Sequence, residues 1–505
     1  MQEPVADPKA LPRPSRITIM NPAANPRRMR RLIAEDPEWN LAIVPQLTEL
    51  CIQHIITNFE KNPILHSLIP EHQRKVLDKI STSLPLTVTA NLISDENYWK
   101  RCCTERWTVC DVSRYGNSWK QMFFERHLEN ILKFYIPDTT SPNQVLDIIP
   151  LCKEYVKKLE IDQFLPPVKL DQKKEDEEAS DTESDAGIDE PSMDHFDMSL
   201  LVPALCHLEE LHLSYGVKDC GMNFEWNLFE FTYRDCCSLA NALKKCLTLK
   251  VFKLSRSKVD DDKARLLIKH LLDHPSLIEL DLSHNLIADR GARAVGKLIN
   301  CSKLVTLNLC DNRIRAQGAQ AIAHALSKNS ILTSLNMRLN CIEDEGGQAI
   351  CHALLVNSTV TTLHLGGNEL SEPTATLFSQ VLAQNITLTH INLSCNHIGL
   401  VCNLLLKMCC LWGAQRQSAG YCEVRMNRRN LRSFLDGGKQ LLEGMSDNKT
   451  VVEFDLRLAE VGQESEYLIN QAIKTNREQA RLKSLHRSGS THGPPPPEEK
   501  LPEPV

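Results

Sequence analysis

The chain has 505 residues, of which 42% are apolar and 24% charged, with a formal net charge of -6. That length exceeds what a single hydrophobic core sustains, so two or three folded units with linkers are expected. So small a charge gives no support to nucleic acid as a partner and leaves other proteins as the expected ones.

The nineteen cysteines are odd in number and irregularly spaced, and the opening MQEPVADPKALPRPSR has no apolar core like that of a secretory signal. A reduced, cytoplasmic setting without a disulfide framework is the expectation. The doublets Cys102-Cys103 and Cys409-Cys410 have no second pair at zinc-ligand spacing and read as buried thiols, so no metal and no cofactor is expected. No apolar run approaches the roughly 20 residues that cross a bilayer, so no membrane partner is expected. On the same reading sequons such as those at Asn357 and Asn385 carry no sugar and are turn residues.

In chain order, residues 1–30 form an arm expected to be unstructured, with Arg27, Arg28, Arg30 and the adjoining Arg31 as a basic cluster at its end. Residues 31–165 show helical apolar spacing, as in Leu47, Leu50, Cys51, Ile55 and Phe59, together with Trp99, Trp107 and Trp119, and predict an α-helical domain. Within it, WKRCC at Trp99 and SWKQMFF at Ser118 resemble the helical N-terminal region of F-box-like and elongin-A-like adaptors. Leu47-x-x-x-Cys51-x-x-x-Ile55 resembles an elongin-binding box, although Gln46 stands where that box begins with a small hydroxyl residue. An amphipathic core helix gives the same spacing.

Residues 166–196 hold the run DQKKEDEEASDTESDAGIDE, Asp171 to Glu190, which is too charged and too poor in aromatic residues to form a packed core. It predicts a disordered acidic linker. Ser180, Thr182 and Ser184 lie among acids that suit an acid-directed kinase, and a plain solvated tether is the alternative.

The next signal decides the fold. LIELDLSHNLI (from Leu277), LVTLNLCDNRI (Leu304), LTSLNMRLNCI (Leu332), VTTLHLGGNEL (Val360) and LTHINLSCNHI (Leu388) share one pattern: apolar-x-x-apolar-x-apolar-x-x-Asn-x-apolar. Their asparagines, Asn285, Asn312, Asn340, Asn368 and Asn396, are separated by 27, 28, 28 and 28 residues. Between these blocks a helical spacing recurs, as in Ala292, Val295, Leu298 and Ile299. Each repeat therefore reads strand, turn, helix: the small residues Ala292, Ala319, Gly347 and Ala375 let each helix approach its own strand closely, and the preceding Gly291, Gly318 and Gly346 ease entry into the helix.

The fold class predicted is α/β: a leucine-rich-repeat horseshoe solenoid, ribonuclease-inhibitor-like, over residues 197–462, preceded by the small α-helical domain. Weaker repeats extend it. Ser257 stands 28 residues before Asn285, Leu208-Leu211-Leu213 begins an earlier unit with an insertion at Cys220 to Trp226, and Val424-Met426 and Phe454-Leu456 read as degenerate strands. Residues 463–486 are expected to form a closing helix, and residues 487–505 a disordered proline-rich tail.

The asparagine column is read as structural, its amides satisfying backbone groups inside each turn. Strand alternation turns Asp281, Asn308, Asn336, Arg338, His364, His390 and Asn392 toward the hollow of the horseshoe, as a candidate partner-binding face. A solvated sheet with the partner bound elsewhere is an equal reading. His364 and His390 lie on adjacent strands without an acidic or thiol companion and read as surface histidines.

No phosphate loop, dinucleotide fingerprint, H-E-x-x-H or G-x-S-x-G motif is present, so the chain is expected to be no enzyme. Ran-type GTPase activators use this repeat class, and Arg290 or Arg315 is the residue type that would serve there.

The order of a tryptophan-containing helical domain (ENYWKRCCTERW, Glu96 to Trp107), an acidic linker and repeats reading LIELDLSHNLIADRGARAVGKLI resembles the leucine-rich-repeat subunits of the nexin-dynein regulatory complex, over nearly the whole chain. The resemblance implies a non-catalytic scaffold that links outer doublet microtubules and regulates dynein-driven motility. It implies other subunits of that complex and, directly or through them, axonemal doublets as partners, in the cytoskeleton of a cilium or flagellum. An F-box-like or elongin-binding substrate receptor of a ubiquitin ligase is the alternative, and a Ran-type activator the second.

Overall fold

A computed structural model describes residues 46–167, 194–218, 220, 222, 230–399 and 437–488, and the backbone alone at 30–31 and 43–44. The N-terminal arm before Arg30, the acidic run, most of the insertion at Cys220 to Trp226, the strand expected at Val424-Met426, Cys409-Cys410 and the proline-rich tail lie outside the described residues. The chain divides into two compact units, Met1–Lys120 and Gln121–Val505.

The first unit is built of helices α1 (Leu47–Thr57), α2 (Pro70–Lys79), α3 (Leu86–Leu92) and α4 (Glu96–Arg106), with one short antiparallel pair, β1 (Arg30–Arg31) and β2 (Ile43–Val44). Asp95 starts α4 by accepting from the Tyr98 N–H at 2.9 Å, an N-cap that pairs an otherwise orphaned donor. The WKRCC stretch is core. Trp99 is fully buried, donates Nε1–H to the Ile93 carbonyl at 3.0 Å and meets Tyr98 edge-on at 5.3 Å. Arg101 donates to the carbonyls of Leu77 and Ile80, tying α4 to the end of α2.

The other helix of interest does not behave as a core helix. Leu47 and Leu50 are 76% and 45% exposed and Cys51 is exposed, while Ile55 is half-buried and Phe59 fully buried, so the box-like face points outward over its first turns only, where Ile52 takes the buried position.

The second unit is a parallel solenoid. Among the described residues nine strands pair in chain order: β3 (Lys158–Ile161), β4 (Glu210–Leu213), β5 (Val251–Leu254), β6 (Glu279–Asp281), β7 (Thr306–Asn308), β8 (Ser334–Asn336), β9 (Thr362–His364), β10 (His390–Asn392) and β11 (Glu453–Asp455). The sheet thus starts before residue 197, at a strand lying in the stretch expected to be helical. The acidic run between β3 and β4 hides this repeat from the 28-residue period.

Short helices α6 (Asn143–Leu146) and α7 (Ile149–Cys152) precede β3 and α8 (Met198–Leu201) precedes β4, and helices α9 (Tyr233–Lys245), α10 (Asp261–Leu271), α11 (Asp289–Cys301), α12 (Ala316–Leu326), α13 (Glu343–Val356) and α14 (Glu372–Gln384) return the chain between strands. After β10 come α15 (Gly437–Asp447), β11 and the closing helix α16 (Gln463–Ser488). The repeated apolar positions are the core: Leu277, Leu280, Leu282, Ile287, Ala292, Val295, Leu298 and Ile299 are all buried, as are their counterparts one repeat on. Each leucine so buried contributes roughly 1.5–3 kcal/mol.

Two ladders of side-chain amides then satisfy the buried backbone. Asn285 donates to the carbonyls of Leu254, Leu282 and Ser283 and accepts from the N–H groups of Ser257 and Val259, so it binds both its own turn and the preceding one. Asn312, Asn340 and Asn396 repeat the arrangement one, two and four repeats later. Ser257 holds the equivalent place with a hydroxyl, accepting from Tyr215 N–H and donating to the Ser255 carbonyl.

The second ladder runs along the helix ends. Asn357 donates to the carbonyls of Leu326 and Asn329, Asn385 to those of Leu354 and Asn357, Asn448 to Leu382 and Asn476 to Asn448 and Val451. Asn357 and Asn385, each the asparagine of a sequon, are therefore buried structural groups.

Carboxylates join successive helices. Asp261 accepts from Ala288 and Gly291 N–H, Asp289 from Arg315 and Gly318 N–H, and Asp344 from Ser371 N–H and the Thr374 hydroxyl. A Cβ at Gly318 would lie 2.6 Å from Asp289 Oδ1, which is why glycine stands there. The series breaks where Ala316 occupies the aspartate position. At that same junction Ile342 adopts helical angles and Glu343 a φ of 54°, and Asn368 Oδ1 stays buried without a hydrogen-bond partner.

The N-terminal edge of the sheet is closed by α5 (Trp119–Lys133), whose residues from Gln121 on belong to this unit. Glu125 accepts from the N–H groups of Lys157 and Lys158, and Glu129 from that of Glu160, so carboxylates one helical turn apart cover strand-edge donors that would invite another strand.

Replacing Asn340 by Ala leaves three carbonyls and the Ile314 N–H without this partner. A loss of about 2–4 kcal/mol in urea unfolding is expected, against under about 0.5 kcal/mol for the exposed Lys328→Ala on the helical side. Burial pushes the Glu129 carboxyl up to about 7 from the ordinary 4.5. The unfolded chain loses that proton near 4.5 and the folded chain keeps it until about 7, so stability falls as pH rises through this window. Glu129→Gln is expected to raise the thermal midpoint at pH 8 and to change it little at pH 4.5; thermal scans at both values check this, and an equal effect at both would contradict it.

Candidate functional site

Alternation along each three-residue strand buries the central residue and turns the outer two to the open face of the sheet. Parallel register lines these up in columns. One column runs Asp281, Asn308, Asn336, His364, Asn392, Asp455, and the other runs Glu279, Thr306, Ser334, Thr362, His390, Glu453. The face residues picked from sequence are thus neighbours: five form one column, His390 lies in the next, and Arg338 lies two positions beyond Asn336.

Much of the first column is committed to the turn that follows it. Asp281, Asn308, Asn336 and Asn392 each accept from the backbone N–H two residues on, at 2.9, 3.1, 3.1 and 3.1 Å. This is the side-chain mimic of a backbone turn that Asp and Asn favour. Across the column, Asn308 donates to Asp281 at 2.8 Å and Asn392 to Asp455 at 2.9 Å. The β9 member of the column is His364, and the residue two positions on is Gly366, where a Cβ would lie 2.6 Å from Asn392 Oδ1. Asn336, His364 and Arg338 are the face residues least absorbed by these bonds.

Electrostatics divide the face into two halves. From β3 to β6 it carries Lys158 beside Glu160 and Glu210 (3.2 and 3.8 Å), His212 near Glu160 and Glu210 (4.0 and 3.8 Å) and Lys253 with Glu279 (2.7 Å). From β7 to β10 it is mostly Thr, Ser and Asn. The charged half was missed in the sequence because β3 to β5 lack the Asn signature; the alternation in Lys158-Leu-Glu-Ile was the available signal.

Burial, assisted by Lys158 and Lys253, lowers the pKa of His212, and burial with Arg338 lowers that of His364. His390 Nε2 lies 3.9 Å from Glu453, and its Nδ1 pairs with the Thr389 hydroxyl at 2.8 Å. Among the described residues no group of three His, Cys, Asp or Glu is placed to hold a metal ion, and no helix is long and apolar enough to cross a membrane. Arg290 lies at the start of α11, 3.6 Å from Asp262, and Arg315 precedes α12, its N–H bound to Asp289. Cys102 and Cys103 are buried, and burial pushes the thiols of Cys152 and Cys236 up to about 12, which makes those two inert packing groups.

Following ring protons by NMR, His212 and His364 are expected to titrate below 6.5, so both are predominantly neutral at pH 7. Midpoints above 6.5 for either would contradict this.

A family model described as leucine rich repeat matches residues 273–296, 300–323, 328–351 and 384–401. The unmatched repeat at Thr362–His364 nevertheless lies in register between its neighbours. The chain is 63% identical over 314 residues to dynein regulatory complex subunit 5 of Macaca fascicularis, covering 62% of this chain and 63% of that protein. It is 33% identical over 225 residues to dynein regulatory complex subunit 5 of Chlamydomonas reinhardtii, covering 44% and 50%. The matched part is thus less than two thirds of either relative's own length. Among solved structures, the leiomodin-1 actin-binding site 2 matches 35% of this chain and 82% of its own at 16% identity, with a TM-score of 0.25. With the parallel strands of the described residues, their helices and the matched repeats in place, the chain is a leucine-rich-repeat protein of α/β solenoid fold, similar in sequence to dynein regulatory complex subunit 5.

Proposed function

We propose that the chain is a non-catalytic subunit of a dynein regulatory complex in the axoneme of a cilium or flagellum, where it holds fellow subunits and through them the doublet microtubules. The observation that carries this reading is the 63% identity over 314 residues to a protein named as subunit 5 of that complex. The second unit supports it, because stacked repeats present one long polar sheet face whose side chains are fixed by backbone bonds before any partner arrives. Such a face recognises a partner through hydrogen bonds in its β7 to β10 half and through charge in its β3 to β6 half. The first unit offers a separate surface for a second neighbour, which raises the two neighbours' effective concentration for each other.

Expression of the tagged full chain in a ciliated cell tests this. The chain is expected to remain with salt-washed axonemes and to co-purify with other regulatory-complex subunits. Ser334→Lys with Thr362→Lys, which load the sheet face without touching its core or turns, are expected to lower that recovery at least about ten-fold. Unchanged recovery would remove the sheet face from the account, and a wholly soluble chain would remove the axonemal role.

One observation favours a second reading, a ubiquitin-ligase substrate receptor: Leu47, Leu50 and Cys51 form an outward face on α1. Recovery of an elongin- or Skp-like adaptor with the chain, abolished by Leu47→Glu with Cys51→Lys while the fold persists, would favour it over the scaffold.

A further inference from the structure

On the helical side of the second unit, away from the sheet face, α10 and α11 and the segment Glu230–Tyr233 enclose a groove of about 1220 Å³. Its walls carry six cations, Lys263, Arg265, Lys269, Arg290, Arg293 and Lys297, against three carboxylates, Glu230, Asp260 and Asp262. Two of those carboxylates are already engaged. Asp260 caps α10 by accepting from Asp262 and Lys263 N–H, and Asp262 pairs with Arg265 at 3.2 Å and Arg290 at 3.6 Å. Lys269 and Lys297, one on each helix, are exposed and have no ion pair among the described residues, and Arg293 donates to the neutral Gln317. Between the cations the floor is apolar, with Leu266, Leu272 and Ala294 half-buried. A groove of this kind takes an extended acidic segment that also carries an aliphatic side chain.

The same chain carries one, and its end lies at the groove. Between Asp171 and Glu190 stand ten carboxylates and two lysines, with a single branched aliphatic residue, Ile188, flanked by Asp185, Asp189 and Glu190. The described chain resumes at Asp194, whose carboxylate accepts from the Thr232 hydroxyl at 2.6 Å and lies 3.5 Å from Arg234. Thr232 itself lines the groove. At about 3.4 Å per extended residue, Ile188 reaches roughly 20 Å from Asp194 and Asp181 roughly 44 Å. That spans α10, whose 11 residues run about 16 Å.

We propose that the segment Asp181 to Glu190 docks in this groove within its own chain, its carboxylates on Lys269, Arg293 and Lys297 and Ile188 on the apolar floor. The tether decides between this occupant and an acidic segment of another protein. A ligand attached a few residues away faces a high effective concentration of its site, which a free competitor has to exceed. The attraction is between partly exposed charges, so it weakens as salt shortens the screening length from about 8 Å at physiological ionic strength to about 3 Å at 1 M.

A fluorescent peptide of residues 171–190 added to the full chain tests this by anisotropy. Three forms are compared: the unaltered chain; a chain with D181N, E183Q, D185N, D189N and E190Q; and that neutralised chain with K269Q, R293Q and K297Q added. Circular dichroism checks that each is folded. The peptide is expected to bind the neutralised chain at least ten-fold more tightly than the unaltered one, with affinity falling steeply in 0.5 M salt, and to lose at least ten-fold when the three groove cations are removed. Equal binding to the unaltered and neutralised chains would overturn the intramolecular assignment and leave the groove to an acidic segment of another protein. No binding to either, or binding indifferent to the groove substitutions, would overturn the site itself.

Discussion

A parallel solenoid has to bury backbone at every turn, and the way it pairs those N–H and C=O groups decides what else it can do. Strand and helix ladders cannot reach the tight corners between them. Here the corners are served by two columns of asparagine, one after the strands and one after the helices, whose amides reach from each repeat into the one before it. An amide suits this work because it donates twice and accepts twice from one planar group. Since each bond bridges neighbouring repeats, the same contacts that satisfy a turn also couple successive repeats, so repeats support one another in series.

The ends of the stack follow from the same constraint. An open sheet edge exposes unpaired donors, and in this chain Glu125 and Glu129 on α5 accept from them directly. Placing carboxylates there raises their pKa by burial, so the edge is closed at an electrostatic cost that grows with pH. At the other end, Asn476 on the closing helix α16 continues the helix-side ladder by donating to Asn448 and Val451. Corners and edges are thus settled within the chain.

The repeat core was legible because its signals are local and periodic: an apolar residue on each strand, an asparagine at 27 or 28 residues and a helical apolar spacing between them all recur. Ser257 was placed correctly by spacing alone, although a hydroxyl there makes fewer bonds than an amide. The start of the sheet was not legible, because β3 is separated from β4 by the acidic run and makes its cap through residues of α5 more than 30 positions away. The α1 face was read as core from a spacing that fixes which residues share a helix face but not what lies opposite. On the sheet face, position was legible and commitment was not: Asp281, Asn308, Asn336 and Asn392 occupy the expected column, yet their acceptors serve the turns behind them. A sequence shows which side a residue faces more readily than whether its hydrogen bonds are already used.

A stiff, polar and internally satisfied stack is suited to holding partners because little of it has to reorder on binding. Native-state hydrogen exchange addresses the underlying claim most directly. The N–H groups of Val259, Ile287, Ile314 and Leu370, each bonded to an asparagine of the next repeat, are expected to exchange only through openings that unfold whole repeats, with closely similar free energies. Exchange at those four amides as fast as at exposed loop positions, or with free energies unrelated to one another, would show that the asparagines do not couple the repeats.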